Sequence, residues 1–420
     1  MKPLHILLWG TFWLLGLTVA ALTATFFVAK AILAPLPGEW SVPLRAGPVQ
    51  VQAGVPSLVR LATARWAAPL LHGRSLRTGA GRLHITWQAS TQTLGLRCAP
   101  CKLRAPALGD DALRVGELRL TVRRHGEVLE GEVASGALRA TWRGELARGG
   151  LRLALQLPMS PIADGYALFG ELVPELARAH IEGRFALTAQ LSLPGGSLSV
   201  VPQAEGFAVS GLGTQMLAAA RSGCTAGKRA SRLTPDSWLA RAVVAAEDQR
   251  FYQHAGYDLA ELGAALALNQ REGRAERGAS TLSQQLAKLV VTGGERSPAR
   301  KLRELLYAVE MEQTLGKARI LSLYMAHAPW GTGVCGAEAA ARRYFGVRAH
   351  ELTPAQAAWL AAMLHNPSVE AARWEATGEI NLARTQRIVL AMRDMPRKQR
   401  IQLAHNLTQL PWAQRQEAAP

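Results

Sequence analysis

The sequence predicts a multi-domain chain: an N-terminal transmembrane helix, a β-rich membrane-proximal domain and a mainly α domain. Three observations predict it. Residues 6–29 are apolar without a single charge, residues 36–205 fall into short runs of alternating apolar and polar positions, and from about residue 206 the apolar positions recur at helical spacing. The 420 residues suffice for two domains of ordinary size plus an anchor, and a hydrophobic content of 49% can supply their cores.

The first run exceeds the ~20 residues that span a bilayer core. Trp9 and Trp13 stand near one end of it, where interfacial aromatics are favoured. The apolar region of a cleaved signal peptide is shorter, roughly 7–15 residues. The expectation is therefore a retained single-pass anchor within residues 1–35, with Lys2 and the amino terminus as the positive-inside signal.

Residues 36–205 are expected to form a β-rich domain. Leu83-His84-Ile85-Thr86-Trp87, Leu118-Arg119-Leu120-Thr121-Val122 and Leu151-Arg152-Leu153-Ala154-Leu155 alternate apolar with polar, and residues 185–191 do so more loosely. Period two with glycine-rich breaks at His125-Gly126 and Arg148-Gly149-Gly150 predicts half-buried antiparallel strands joined by turns. One helix is expected over 162–180, with Pro174 near a bend. No catalytic constellation occurs here, which leaves a spacer or partner-binding role. The four cysteines are Cys98, Cys101, Cys224 and Cys335. Cys98-Ala-Pro-Cys101 lacks the second ligand pair of a zinc site, and in an exported chain a structural disulfide is the expected state. Cys224 with Cys335 is the remaining pair by arithmetic.

Residues 206–395 read as helical. Thr234-Pro235-Asp236 has the form of a helix start, with proline in the first turn and an acid at the positive pole. Leu239, Val243 and Ala246 make one apolar stripe, so this helix delivers Glu247 and Asp248 near its C-terminal end. Carboxylates are disfavoured there by the macrodipole unless a partner or a use compensates. Leu302, Leu305, Leu306 and Val309 make a second stripe. Residues 337–345 and 355–364 are expected as core helices, and 396–420 as a tail.

The net charge of +17 and pI near 10.5 suit an anionic membrane surface, a pyrophosphate substrate or nucleic acid. No zinc-finger, RRM-like or basic-zipper pattern is present, which argues against nucleic acid.

The chemistry concentrates in residues 243–304. Glu247-Asp248-Gln249-Arg250-Phe251-Tyr252-Gln253-His254-Ala255-Gly256 is followed by Gly278-Ala279-Ser280-Thr281-Leu282-Ser283-Gln284-Gln285-Leu286-Ala287-Lys288, then by Arg300-Lys301-Leu302-Arg303-Glu304. Two carboxylates thus bracket a polar loop and a basic run that also contains Arg296. This suits a reaction that needs a general base and neutralisation of a developing phosphate charge. Taken singly, Glu247 would be a solvated glutamate, Ser280 or Thr281 a helix cap, and Arg300 with Glu304 a helix ion pair.

In order and separation, these three blocks resemble the signatures of the peptidoglycan glycosyltransferases of family 51: E-D-x-x-F-x-x-H-x-G, G-[AG]-S-T-[IL]-[ST]-Q-Q-x-x-K and R-K-x-x-E. That family includes the transglycosylase module of class A penicillin-binding proteins and the monofunctional biosynthetic enzymes. The resemblance runs over roughly residues 230–395. It implies a lysozyme-like catalytic domain that polymerises lipid II into glycan strands with release of undecaprenyl pyrophosphate. It makes Glu247 the general base and Glu304 the second essential carboxylate. It places Asp248, Ser280, Gln284, Lys288, Arg296, Arg300 and Lys301 on the substrate, with the guanidinium forks suited to a pyrophosphate. A divalent cation, Mg2+ or Mn2+, is implied by resemblance alone, with no metal ligands assigned. Implied partners are lipid II, the growing strand, membrane lipids and other cell-wall synthesis proteins, and the implied location is the inner membrane with the catalytic domain on the periplasmic side.

Residues 317–326 resemble the family's fourth block, K-x-x-I-L-x-x-Y-L-N, with Met325 for leucine, Ala326 for asparagine, and Ser322 where an acid is common. The alanine deletes a side-chain amide. No Ser-x-x-Lys or Lys-Thr-Gly motif occurs, so no transpeptidase is expected. Two alternatives stand beside the transferase: a lysozyme-like lytic glycosidase, and a non-catalytic cell-wall assembly protein with a degenerate transferase fold.

Overall fold

A computed structural model describes residues 35–409 apart from 36, 47–48, 105–111, 220–232, 273–277 and 295–296. The anchor expected over 6–29 lies outside the described residues, as do Cys224 and Arg296. Among the described residues no helix is long and apolar enough to cross a membrane.

The chain forms two compact units that interleave in sequence. One comprises residues up to Leu103, Arg114–Ser160 and Ala186–Val201; the other takes Arg104–Leu113, Pro161–Phe185 and everything from Pro202. The first unit is built on strands. A hairpin of β1 (Ser41–Ala46) and β2 (Val49–Gly54) leads into two short helices, α1 (Val55–Ala62) and α2 (Ala68–Leu71). There follow β3 (Ser75–Thr78), β4 (Gly81–Gln88), β5 (Thr93–Cys98), β6 (Cys101–Arg104), β7 (Ala112–Val115), β8 (Leu118–His125), β9 (Val128–Ser135), β10 (Leu138–Ala147), β11 (Gly150–Pro161), β12 (His180–Leu193) and β13 (Ser197–Ser210). Nine of these make one sheet in the order β13-β12-β11-β10-β9-β8-β5-β4-β3, while β6 pairs with β7 alone.

All four alternating runs of the sequence fall inside strands, and both glycine breaks fall at hairpin turns. Register gives the sheet two unlike faces. Trp87 pairs with Leu94, and Leu94 with Val122, so one face is apolar across successive strands. Thr121, Arg123, Glu130, Glu132, Thr141 and Arg143 occupy the other face. The apolar face holds the unit's core of Ile85, Leu94, Val122, Leu129 and Leu146, against which Val59, Leu71 and Trp142 pack. Cys98 and Cys101 are joined by a disulfide, as expected.

The second unit is helical. Its helices are α3 (Ile162–Ala167), α4 (Trp238–Glu247), α5 (Leu259–Glu272), α6 (Leu282–Ala287), α7 (Pro298–Thr314), α8 (Gly316–His327), α9 (Ala337–Phe345), α10 (Pro354–Met363), α11 (Pro367–Thr377), α12 (Leu382–Ala391) and α13 (Arg397–Asn406). They enclose a single core in which Phe251, Leu282, Met311, Trp330 and Leu360 are fully buried. The Trp330 indole donates to Leu360 O at 3.0 Å, and Tyr344 donates to Trp330 O at 2.6 Å, so the polar tips of buried rings are satisfied. The expected core helices at 337–345 and 355–364 are α9 and α10.

Three sequence expectations change. The helix over 162–180 is only α3; it gives way to 3-10 turns at Gly170–Leu172 and Pro174–Ala177, and β12 starts at His180. Gly165 and Gly170 weaken a helix, and Pro174 removes an amide that its continuation would need. The helix expected to start at Thr234 starts instead at Trp238, because Ser237 is the cap: its hydroxyl accepts from Ala240 N, while Thr234 closes a preceding turn. The expected tail contains α13, which packs on α12 and buries Ala404 and Leu407. Gly211, with φ +92°, is required as glycine, because a Cβ there would lie 2.3 Å from Arg178 O.

Candidate active site

Glu247 is the last residue of α4, a helix whose Leu239, Ala240, Ala242 and Val243 are buried without exposure. Burial of that face fixes the helix and so fixes where its last side chain projects. Two partners then hold the carboxylate. Gln285 Nε2 donates to Oε2 at 3.1 Å, and Arg384 Nη2 donates to Oε1 at 3.1 Å. Tyr324 donates to Gln285 Oε1 at 3.0 Å, which sets the orientation of the amide. The Tyr324 phenol is pushed well up from its ordinary value, first by burial and then by the charge of Glu247, so it stays a donor. The side chain of Glu247 is 13% exposed. A carboxylate has about four lone-pair sites, so two fixed donors leave acceptor capacity for a further hydroxyl.

Asp248 turns inward. Its carboxylate accepts from Leu282 N at 2.9 Å and from His254 Nε2 at 3.0 and 3.1 Å, with both side chains nearly buried. Gly256 N donates to His254 Nδ1 at 3.2 Å, which leaves the ring proton on Nε2, facing Asp248. Asp248 therefore ties the end of α4 to the start of α6. Gly256 has φ +91°, and a Cβ there would meet Ala308 O at 2.9 Å. Its own carbonyl accepts from Thr281 Oγ1 at 2.8 Å.

Thr281, not Ser280, caps α6, and Gln284 completes a capping box by accepting from Thr281 N at 3.2 Å. Gln284 Oε1 thus serves the cap, while its neighbour Gln285 carries the contact to Glu247. Ser280 is free of the cap and accepts from Lys301 Nζ at 2.7 Å. Lys288 stands exposed where α6 passes into a π-turn, Lys288–Thr292.

Glu304 lies on α7, which starts at a Ser297 cap that accepts from Arg300 N at 3.2 Å. Its side chain is only 1% exposed, and it is flanked by Lys301 Nζ at 2.8 Å and Arg300 Nε at 3.4 Å. These are charge contacts more than aligned hydrogen bonds: neither carboxylate oxygen has a well-directed donor among the described residues. Ser280, Lys301 and Glu304 thus form one chain from the loop before α6 to the buried face of α7, and α6 packs against both α7 and α8. Arg303 faces elsewhere and binds Glu175, Nε to Oε1 at 2.8 Å. Burial opposes ionisation of Glu175, but the Arg303 guanidinium, a backbone hydrogen bond and the Tyr307 hydroxyl together hold the carboxyl below its ordinary value. Arg296 is outside the described residues.

Reading the sequence alone overlooked Arg384 and gave Gln285 and Tyr324 no role. Gln285 and Tyr324 lie inside quoted motifs, where one more step of helical geometry would have found them. Arg384 is 137 residues from Glu247 and carried no local signal.

Residues 229–393 match the family model described as transglycosylase. The chain is 51% identical over 129 residues to a biosynthetic peptidoglycan transglycosylase of Azoarcus sp. (strain BH72), covering 31% of this chain and 56% of that protein. It is 45% identical over 157 residues to the protein of that name from Thiobacillus denitrificans, covering 37% of this chain and 66% of the relative. With the one from Nitrosomonas eutropha it shares 46% identity over 129 residues, covering 31% and 53%. The chain thus spans between 53 and 66% of the length of these relatives. Through residues 229–393 the chain is similar to the transglycosylase family model and to these biosynthetic peptidoglycan transglycosylases.

Proposed function

We propose that this chain is a peptidoglycan glycosyltransferase that polymerises lipid II into glycan strands. The observation that carries the reading is Glu247 held between Arg384 and Gln285 with acceptor capacity to spare. In this reading Glu247 takes the proton of the acceptor's 4-hydroxyl as that oxygen bonds to the anomeric carbon of the growing chain. The anomeric carbon–oxygen bond to undecaprenyl pyrophosphate breaks, with inversion, and the electron pair leaves on the pyrophosphate. Lys288 and Arg300 lie on the segments that would receive it, Arg296 precedes α7 in the sequence, and positive charges suit the developing anion. Glu304 sets the posture of Arg300 and Lys301 from beneath, and Lys301 carries Ser280.

Among the described residues no three His, Cys, Asp or Glu side chains gather in a geometry that would cage the divalent cation implied by the resemblance. Both glutamates face cationic side chains instead, so no step is routed through a metal. A location in the cell envelope, with residues 6–29 as an inner-membrane anchor and the helical unit on the periplasmic side, completes the proposal.

The test is glycan-strand formation from purified lipid II by the full chain in detergent, beside Glu247→Gln. Polymer from the unmodified chain and none from the variant is the expected result. Release of fragments from finished glycan would instead establish the lytic glycosidase. Binding of lipid II without turnover by either protein would establish the assembly role.

A further inference from the structure

The β unit has a groove of about 670 Å3 whose exposed lining is entirely apolar, between α1–α2 and the apolar face of the sheet. Leu58, Trp66 and Leu70 line it from the helical side, and Leu76, Leu83 and Ile85 from the strands. Its size is within the ~300–1,000 Å3 of ligand pockets. Three large apolar side chains of its lining are exposed: Trp66 by 70%, Leu70 by 70% and Leu76 by 54%.

The charge on the segment that lines it is predominantly positive, with Glu39 on Ser57 and Glu127 on Arg60 as the nearby acids. Residues 40–104, which supply every lining residue but Val122, contain nine Lys and Arg and no Asp or Glu. Arg74 directly precedes β3, two residues before Leu76; strand alternation places Arg124 on the side of Val122, while Arg77 and Arg82 pair on the opposite face. Arg65 adjoins Trp66 and donates to Gln92 at 3.0 Å; Arg124 donates to Thr63 at 2.8 Å. Arg60, on α1, is neutralised by Glu127 at 2.7 Å. Arg65 and Arg74 are both exposed. An apolar slot whose lining segments carry exposed arginines matches a molecule with a hydrocarbon body and an anionic head. The uncharged run 6–29 ends nine residues before Gly38, a reach of about 30 Å when extended, so a bilayer that holds this run lies within range of the groove.

We propose that this groove holds an acyl chain of an anionic membrane phospholipid, with the headgroup phosphate met by Arg65 and Arg74. The site would fasten the β unit to the membrane surface, and it is independent of the transferase reading.

The test uses the full chain in nanodiscs of phosphatidylcholine with either dibromostearoyl phosphatidylglycerol or dibromostearoyl phosphatidylcholine as contact quencher of tryptophan fluorescence. The signal read is the part of the quenching that Trp66→Phe removes. Phosphatidylglycerol is expected to quench Trp66 preferentially, and Arg65→Ala and Arg74→Ala each to reduce that preference about fivefold. Leu70→Glu with Leu76→Glu, both at exposed positions that leave the core intact, is expected to abolish the quenching. Equal quenching by the two lipids overturns the anionic headgroup. Quenching that survives the two glutamates overturns the groove. A chain that self-associates with Trp66 shielded from both lipids shows a second copy as the occupant and overturns the proposal.

Discussion

Arg384 Nη2 lies 3.1 Å from Glu247 Oε1, which joins the first turn of α12 to the last residue of α4 across 137 residues of sequence. The guanidinium is only 20% exposed, and its Nε is buried with no partner among the described residues. The carboxylate therefore has a fixed direction and a fixed counter-charge before any substrate arrives.

Replacing Arg384 by alanine should slow glycan-strand formation by on the order of 10²-fold, because general-base efficiency depends on placement of the base. The loss should fall on kcat and spare the affinity for lipid II. Arg384→Lys, which keeps the charge but loses the planar fork, should recover only part of the rate. Single-turnover kinetics beside a lipid II binding titration checks the split; equal losses in both would show that Arg384 serves binding.

Glu304→Gln should destabilise the helical unit. Arg300, 12% exposed, would lose its counter-charge, and breaking one side of such a buried pair costs about 3 kcal/mol. Urea denaturation followed by tryptophan fluorescence measures it. A midpoint unchanged from the parent would mean that Lys301 and Arg300 find other partners.

Thr281→Val should cost about 1–2 kcal/mol, because it removes both the α6 cap and the bond to Gly256 O. Thr281→Ser retains the hydroxyl and should remain within about 0.5 kcal/mol of the parent. Since α6 carries Gln285, the valine variant should also lose activity, and comparing thermal midpoints with lipid II turnover tests the link.

The Glu175–Arg303 pair should make stability depend on acid. The folded Glu175 carboxyl titrates below its ordinary value of 4.5, so its contribution is complete above that pH. It is lost progressively as pH falls from there through the lower folded value. Glu175→Gln should flatten this segment of the stability–pH curve, read by urea midpoints; an unchanged slope would assign the acid sensitivity to other carboxylates.

Much of this protein was written in local sequence. Alternation at 83–87, 118–122 and 151–155 specified strands, because side chains on a half-buried strand must change faces at every residue. The stripe at Leu302, Leu306 and Val309 specified how α7 lies, and the motif blocks singled out Glu247 and Glu304. What local pattern could not decide was which polar atom meets which. Ser280 and Thr281 were equal candidates for the α6 cap, and only the docking of Thr281 on Gly256 O, through a turn 25 residues earlier, separated them. Gln284 and Gln285 stand side by side, yet helical rotation gives one to the cap and the other to the base. The grip of Arg384 on Glu247, and the apolar groove under α1 and α2, exist only once distant segments pack. A short-range pattern encodes the faces of an element, whereas the partner of a buried charge is chosen by whatever tertiary packing brings within hydrogen-bonding distance of it.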